Sequence, residues 1–341
     1  MNARTKKVTI REVALRAEVS PSTVSLVLNG KGSIPEETRT RVLDAVKELR
    51  YSFNYTARAM VTRKTNIVGV VIPDISNTFF AETVRHMQVA LADKGYDIIL
   101  CNSEERAEND IRYVNVLAGR NVDGLILTPS AEAFTEEYRE RIISALEDLN
   151  VPYLFFDRYF RDSARPRVAV DNAESSYRAA RYLIGNGHKK IGAIAGPLIL
   201  NSSEGRLYGL RRAMEEAGLS LSDEYVYEGK YDFETGVKGA EKLIAKGVSA
   251  IFAFSDMQAY GVYECAAKLG RKIPEDLSVM GFDDNLYSFM LDAPLTTMRQ
   301  PMKKIAESAC DMILQLIHGN GKPENVSLPA EFIVRKSVKT V

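Results

Sequence analysis

From residue 66 onward the chain repeats one pattern: a short, nearly continuous apolar run, then an amphipathic stretch of helical period. NIVGVVIPD is followed by FFAETVRHMQVALADKG, YDIILCN by AENDIRYVNVLAGRN, and VDGLILTP by TEEYRERIISALEDLN, with VPYLFFDR closing the series. A second series runs through RVAVDN, IGAIAGP, EYVYEG, VSAIFAFSD and LSVMGFDD, again with amphipathic segments between. Apolar runs without alternation are strands covered on both faces, and strands joined by helices form parallel sheets. The pattern restricts this part of the chain to the α/β class. Its repetition predicts two similar lobes, one of about 66–163 and 293–326, the other of about 166–292 and 327–341. PLTTMRQ and the helical KKIAESACDMILQLIHG return to the first lobe, and EFIVRKS finishes in the second.

In such sheets ligands sit beyond the carboxyl ends of the strands. The residues that follow each strand are Asp74 with Asn77, Phe79 and Phe80, then Asn102, then Thr128 and Ser130, then Asp157 and Arg158. The second series adds Asp171, then Ser202, Ser203 and Arg206, then Ser255 and Asp256, and lastly Asp283. Carboxylates, an amide, hydroxyls and arginines converging with aromatic rings suit a polyhydroxylated ligand, whose vicinal hydroxyls bridge Asp, Asn and Arg. Asp and Ser after strands are also ordinary helix caps, so each position alone has a plain structural reading.

Residues 1–64 differ from the rest in charge. They hold 13 Lys and Arg against 6 Asp and Glu, a net of +7, while the whole chain is neutral and the remainder therefore carries −7. A basic head on an acidic body suits a protein of which only the head meets a polyanion. Thr9 and Glu12 frame a capping box before IREVALRA, whose Ile10, Val13, Ala14 and Ala17 share a face. After the turn EVS comes SPSTVSLVLNG, with Ser20 as cap, Pro21 at the first helical position and Val24, Val27 and Leu28 on one face. A third helix runs EETRTRVLDAVKELR, with Val42, Val46 and Leu49 inward. Three short helices with a tight first turn match a helix-turn-helix. The outer face of the second helix carries Ser22, Thr23, Ser25 and Leu26. Side chains this short let a helix lie deep in the major groove and reach phosphates, base edges and thymine methyls.

Several functions lack their machinery here. No apolar run is long enough to span a membrane and the start has no secretory pattern. Three distant cysteines, Cys101, Cys265 and Cys310, read as reduced thiols of a cytoplasmic protein. There is no GxGxxG after a strand, no GxxxxGK[ST], GxSxG or HExxH, and only three isolated histidines. An enzyme is not expected, nor a catalytic residue, a metal site or a cofactor.

VTIREVALRAEVSPSTVSLVLNG followed by ETRTRVLDAVKELRYSFNYTARAM resembles the DNA-binding head of the lactose repressor/galactose repressor family, with its TVS, LN and ETRxRV elements. The likeness implies a helix-turn-helix domain over 1–50, a hinge helix over 51–65 and an effector-binding, dimerising core over 66–341. It places Pro21, Ser22 and Leu26 at base-reading positions, and Thr9, Ser20, Thr23, Ser25, Asn29 and Tyr51 on the backbone. Leu26 stands where arginine is usual in the family, so the operator sequence does not carry over from relatives. In the hinge, Met60 occupies the minor-groove wedge position, Arg58 meets phosphate, and Asn54 joins the DNA-binding set. NGHKKIGAIAGP, RLYGLRRAM, FSDMQAYG and SVMGFDD make the core similar to periplasmic sugar-binding proteins. The implied ligand contacts are Asp157, Arg158, Arg206, Asp256 and Asp283, and Asp74, Phe79, Phe80, Thr128 and Ser255 complete the candidate set. The resemblance thus implies a cytoplasmic homodimeric repressor of a near-palindromic double-stranded operator, controlled by a small effector, a sugar. Helices near 79–92 and 257–269 would pair the cores. A nucleobase or other metabolite as effector stays open, as does a sugar-binding protein of a transport system.

Overall fold

The computed structural model describes residues 8–28, 32–51 and 64–341. Asn29, the hinge helix, Asn54, Arg58 and Met60 lie outside the described residues. The chain divides into two compact units between Thr65 and Asn66.

The small unit holds three helices, α1 (Ile10–Arg16), α2 (Pro21–Leu28) and α3 (Glu36–Glu48). The capping box forms: the Thr9 amide donates to Glu12 Oε2 at 2.6 Å, and the Glu12 amide donates to Thr9 Oγ1. Val13, Ala14, Ala17, Val24, Val27, Val42 and Ala45 make a core of small side chains, with Ile10, Leu28, Val46, Leu49 and Tyr51 packed around it. A bundle this short has no room for larger ones, which explains the Val and Ala at the inward positions.

The large unit carries two parallel sheets. The first series is β1 (Ile67–Ile72), α4 (Thr78–Ala92), β2 (Asp97–Asn102), α5 (Ala107–Gly119), β3 (Gly124–Leu127), α6 (Glu136–Glu147) and β4 (Tyr153–Phe156). Next come β5 (Arg167–Val170), α7 (Asn172–Gly185), β6 (Ile191–Ala195), α8 (Asn201–Glu216), β7 (Val226–Glu228), α9 (Phe233–Ala245), β8 (Ala250–Ala253), α10 (Asp256–Lys268) and β9 (Ser278–Met280). The chain closes with β10 (Thr297–Arg299), α11 (Met302–Ile317), β11 (Val326–Leu328) and β12 (Glu331–Ile333). The first sheet has the order β11-β5-β4-β3-β1-β2, the second β7-β6-β8-β9, and every neighbour within them is parallel.

Three pieces depart from the sequence reading of the lobes. Arg167–Val170, expected to open the second lobe, pairs with β4 and β11 in the first sheet. The reason is burial: α11 packs across β3, β4 and β5, so Val168 and Val170 find their cover there. Ser327 and Leu328 likewise belong to the first sheet, through Ala169 and Val170. Thr297–Arg299, expected in the first lobe, pairs antiparallel with Glu331–Ile333 and bridges to Met280 and Asp283 of the second. The β10–β12 ribbon therefore lies on the segments by which the chain passes between lobes.

Candidate effector cleft and DNA-reading head

In the head, α2 is capped as its sequence predicts. Ser20 Oγ accepts from the Thr23 amide at 3.1 Å and lies 2.7 Å from Ser22 Oγ and 2.9 Å from Thr23 Oγ1. Pro21, Ser22 and Leu26 are exposed, and Leu26 keeps 40% of its surface in water. Thr23 and Ser25 are half-buried on the flank. The candidate base-reading residues thus share the open face, while Val24 and Val27 anchor the other.

Between the lobes of the core, a narrow cleft is lined by Asn77, Phe79, Phe80, Asp157, Arg158, Ser202, Arg206, Tyr231, Ser255, Asp283 and Gln300. These residues come from the carboxyl ends of strands in both sheets, where a parallel sheet leaves room for a ligand. Asn77 caps α4 through the Phe79 amide, which points Phe79 and Phe80 inward. Their rings meet edge to face at 5.0 Å, and Phe79 stacks on Phe156 at 6.4 Å. Thr78 Oγ1 donates to Asn285 Oδ1 at 2.5 Å, joining the first lobe to the loop after β9.

The charged groups are nearly dry. Arg206 is 4% exposed, donates from Nε to Asn172 Oδ1 at 2.8 Å and from Nη1 to the Phe254 carbonyl, and lies 3.7 Å over the Phe282 ring. Arg158 makes a two-pronged pair with Glu105, both contacts at 2.8 Å, and its guanidinium sits over Phe80. Burial alone would lower the Arg158 value, but the Glu105 carboxylate outweighs it and the net shift is upward. Burial pushes Asp157 up against the pull of Arg158 and Arg206. Asp283 is pushed up to about 7, by burial first and by the nearby Asp256 carboxylate, against Arg206 and the Gln300 hydrogen bond. Gln300 Nε2 donates to Asp283 Oδ1 at 2.5 Å. Asp157 and Asp283 have φ of 59° and 133°, so both strand-end carboxylates sit on backbone that costs about 1–3 kcal/mol to hold.

Of the sequence-derived ligand set, the cleft gathers Phe79, Phe80, Asp157, Arg158, Arg206, Ser255 and Asp283. Three others lie elsewhere. Asp74 is half-buried and turns to the Ser76 amide and hydroxyl. Thr128 is fully buried behind the lining. Asp256 is spent inside the fold, where it accepts from the Asn285 amide, Ser288 Oγ and Thr297 Oγ1. Tyr231 and Gln300 were missed, although both follow strands, β7 and β10, and the strand-end rule would have found them. Among the described residues no group of His, Cys, Asp and Glu could hold a metal ion, and no helix is long and apolar enough to cross a membrane.

The arrangement can grip a polar ring on several sides but has no nucleophile–base pair. Comparison with known proteins agrees. Residues 9–54 match the model of bacterial regulatory proteins of the lacI family, and residues 180–338 that of a periplasmic binding protein-like domain. The HTH-type transcriptional repressor PurR of Yersinia enterocolitica is 34% identical over 97% of this chain and 96% of its own length. The lac repressor dimer bound to operator and the anti-inducer ONPF shares the fold, with TM-score 0.87 and 24% identity over 98% of this chain and all of that one. The transcriptional regulator CelR in complex with cellobiose superposes with TM-score 0.74 and 28% identity over 97% of this chain and all of that one. With a head built to read DNA and a core built to hold a ligand, the chain belongs to the lacI family of bacterial regulatory proteins and is a DNA-binding transcriptional repressor, not an enzyme.

Proposed function

We propose that the repressor acts as a cytoplasmic homodimer on a near-palindromic operator and answers to a sugar held in the interlobe cleft. The observation that carries the ligand reading is the concentration of buried bonding groups around one narrow space: Asp157, Asp283, Arg158, Arg206, Ser202 and Gln300. A small neutral molecule with hydroxyls on several edges fits such a ring of donors and acceptors, and the likeness to CelR, a relative with cellobiose bound, supports it. Binding that favours one angle between the lobes changes operator affinity, provided the two arrangements differ in ligand affinity. The dimer is supported by an exposed apolar run on the second lobe, Leu286, Tyr287, Phe289 and Met290, each more than half exposed.

A nucleobase is a second reading, favoured by the aromatic lining of Phe79, Phe80 and Tyr231, against which a flat ring can stack. Thermal melting against panels of sugars and nucleobases separates the two. A ligand at a hundred times its dissociation constant stabilises the core by about 2.7 kcal/mol. Stabilisation by sugars, followed by a change in operator affinity with the same sugar, is the expected result. Stabilisation by bases alone replaces the first reading with the second, and none from either panel overturns both.

A further inference from the structure

Beside the cleft carboxylate Asp283 stands a second one that does not reach the ligand space. The Asp284 side chain is 6% exposed and pairs with two arginines, Arg299 (Nε to Oδ2, 2.7 Å) and Arg335 (Nη2 to Oδ1, 2.6 Å). Asp283 and Asp284 are consecutive residues with φ of 133° and 62°, a region that L side chains avoid. Such a turn persists only where its surroundings over-determine it. Arg299 ends β10, and Arg335 lies two residues beyond β12. From β9 the chain runs through β10 into α11 on the first sheet, returns by β11, and passes through β12 back to the second lobe, where Ser337 Oγ donates to the Val279 carbonyl.

We propose that Asp284 is the positioning residue of the effector cleft: its two arginines hold the Asp283–Asp284 turn so that Asp283 stays aimed at the ligand, and tie that turn to both segments that connect the lobes. The functional meaning rests on the reading of the cleft as the effector site. Further bonds bind Asp283 to β10 itself. The Asp283 amide donates to the Met298 carbonyl at 2.8 Å, the Gln300 amide donates to the Asp283 carbonyl at 3.3 Å, and Gln300 Nε2 holds its carboxylate. A ligand that moves Asp283 therefore pulls on β10 directly and, through Asp284 and Arg335, on the segment after β12. The turn is the place where occupancy of the cleft becomes a change in the angle between lobes.

The test needs no ligand. Asp283 faces Arg206 from α8, Asp256 from α10 and Gln300 after β10, and in this dry position its value is raised to about 7. An unfolded Asp titrates near 3.9. The native state therefore binds the extra proton between those values, and stability from this group falls as pH rises through about 7. Melting temperatures of the full chain at pH 5 to 8 are compared for wild type, Asp283→Asn, Asp284→Asn and the double variant. Asn tolerates a left-handed backbone, so the Asp284→Asn turn can still form. Asp110 and Asp157 titrate in all four proteins and cancel in the differences, whereas Asp256 is raised in part by the Asp284 charge and does not, so Arg335→Gln, which keeps that charge, is measured alongside them.

Asp283→Asn is expected to flatten the decline of Tm with pH. Asp284→Asn should produce at least half of that flattening, because Asp283 is released from its buried position, and the double variant should add little to Asp283→Asn. A purely structural clamp lowers the Tm of Arg335→Gln, in which the Asp284 charge beside Asp256 is kept, by the same amount at every pH and leaves the slope at its wild-type value, which overturns the proposal. Arg335→Gln, which removes one arm of the clamp, is expected to flatten the decline in the same direction as Asp284→Asn, and it decides alone if Asp284→Asn does not fold. Failure of sugars and nucleobases to bind bears on the proposed function alone, since no effector enters this measurement.

Discussion

Asp283 and Asp256 look alike in the sequence, each an aspartate just past an apolar strand, yet they do opposite jobs. Asp283 lines the cleft with Gln300 on one oxygen, whereas Asp256 accepts two hydrogen bonds from the loop after β9 and one from Thr297 of β10. Asp283→Ala is expected to raise the effector dissociation constant at least tenfold, about 1.4 kcal/mol, while operator affinity without effector stays within twofold. Calorimetric titration and gel shift measure the two. Asp256→Ala leaves three buried donors unpaired, at about 1–3 kcal/mol for each unsatisfied group, and should lower Tm steeply whether or not effector is present. The strand-end rule finds where such residues stand but cannot separate these fates, because direction depends on the following turn. Asp283 lies on a left-handed backbone that turns it to the cleft, while Asp256 begins α10 and folds back under the loop. Ser255 shows the two roles combined, capping α10 through the Gln258 amide and lining the cleft. Tyr231 was missed although the EYVYEG run was read as a strand, because it stands three residues beyond Glu228, and Gln300 because β10 is a three-residue strand with little apolar signal.

At the scale of elements, burial decides what can be read. The strands whose runs are apolar throughout, such as Ile67–Ile72 and Ala250–Ala253, stood out, and their parallel order followed from the helices between them. Val326–Leu328 did not, since its side chains are only half-buried or exposed and it lies in a polar stretch. The pairing of α7 with α8 rests on close approach: a Cβ at Gly209 would meet the Ala173 carbonyl oxygen at 2.1 Å and the Tyr177 amide at 2.7 Å. Backbone cannot yield as a side chain would. Gly209→Ala should push the helices apart and destabilise by about 1–3 kcal/mol, read as a lowered midpoint in denaturant unfolding. The same shift carries Ser202 and Arg206, on α8, away from the cleft, so effector affinity should fall with it. In the head, Ser20→Ala removes the bond to the Thr23 amide and should cost about 1 kcal/mol of helix stability. Operator affinity should weaken with it in a gel shift.

For the whole molecule, charge separates the labours. With +7 on residues 1–64 and −7 on the rest, the chain presents DNA with one attractive part. Operator affinity should decline linearly with the logarithm of salt concentration, and effector binding to the neutral-ligand cleft should hardly change, when both are measured from 50 to 200 mM salt. A dimer paired through Leu286–Met290 should be split by Tyr287→Asp, which buries a charge against an apolar partner surface. Sedimentation would then show a monomer, with operator binding reduced. The two-unit plan and the sheets were legible because each repeats a periodic signal over many residues. The pairing of lobe-connecting segments was not, because β10 and β12 sit in separate stretches that meet only in three dimensions.

The last stretch of the described chain carries an unequal share of the second lobe. Ser337 Oγ accepts from the Thr296 amide and donates to the Val279 carbonyl, Arg335 pairs with Asp284, the Lys339 carbonyl meets His188, and the Val341 amide donates to Asn186. On the ribosome these residues emerge after everything they fasten, while the head has long been made. A nascent chain released before Arg335 leaves with its DNA-reading helices whole and its ligand-sensing turn unpinned. If the cleft holds the effector as proposed, translation errors late in the message should yield proteins that keep their DNA-reading helices but no longer answer to it, which a gel shift of a chain ending before Arg335, with and without effector, would show.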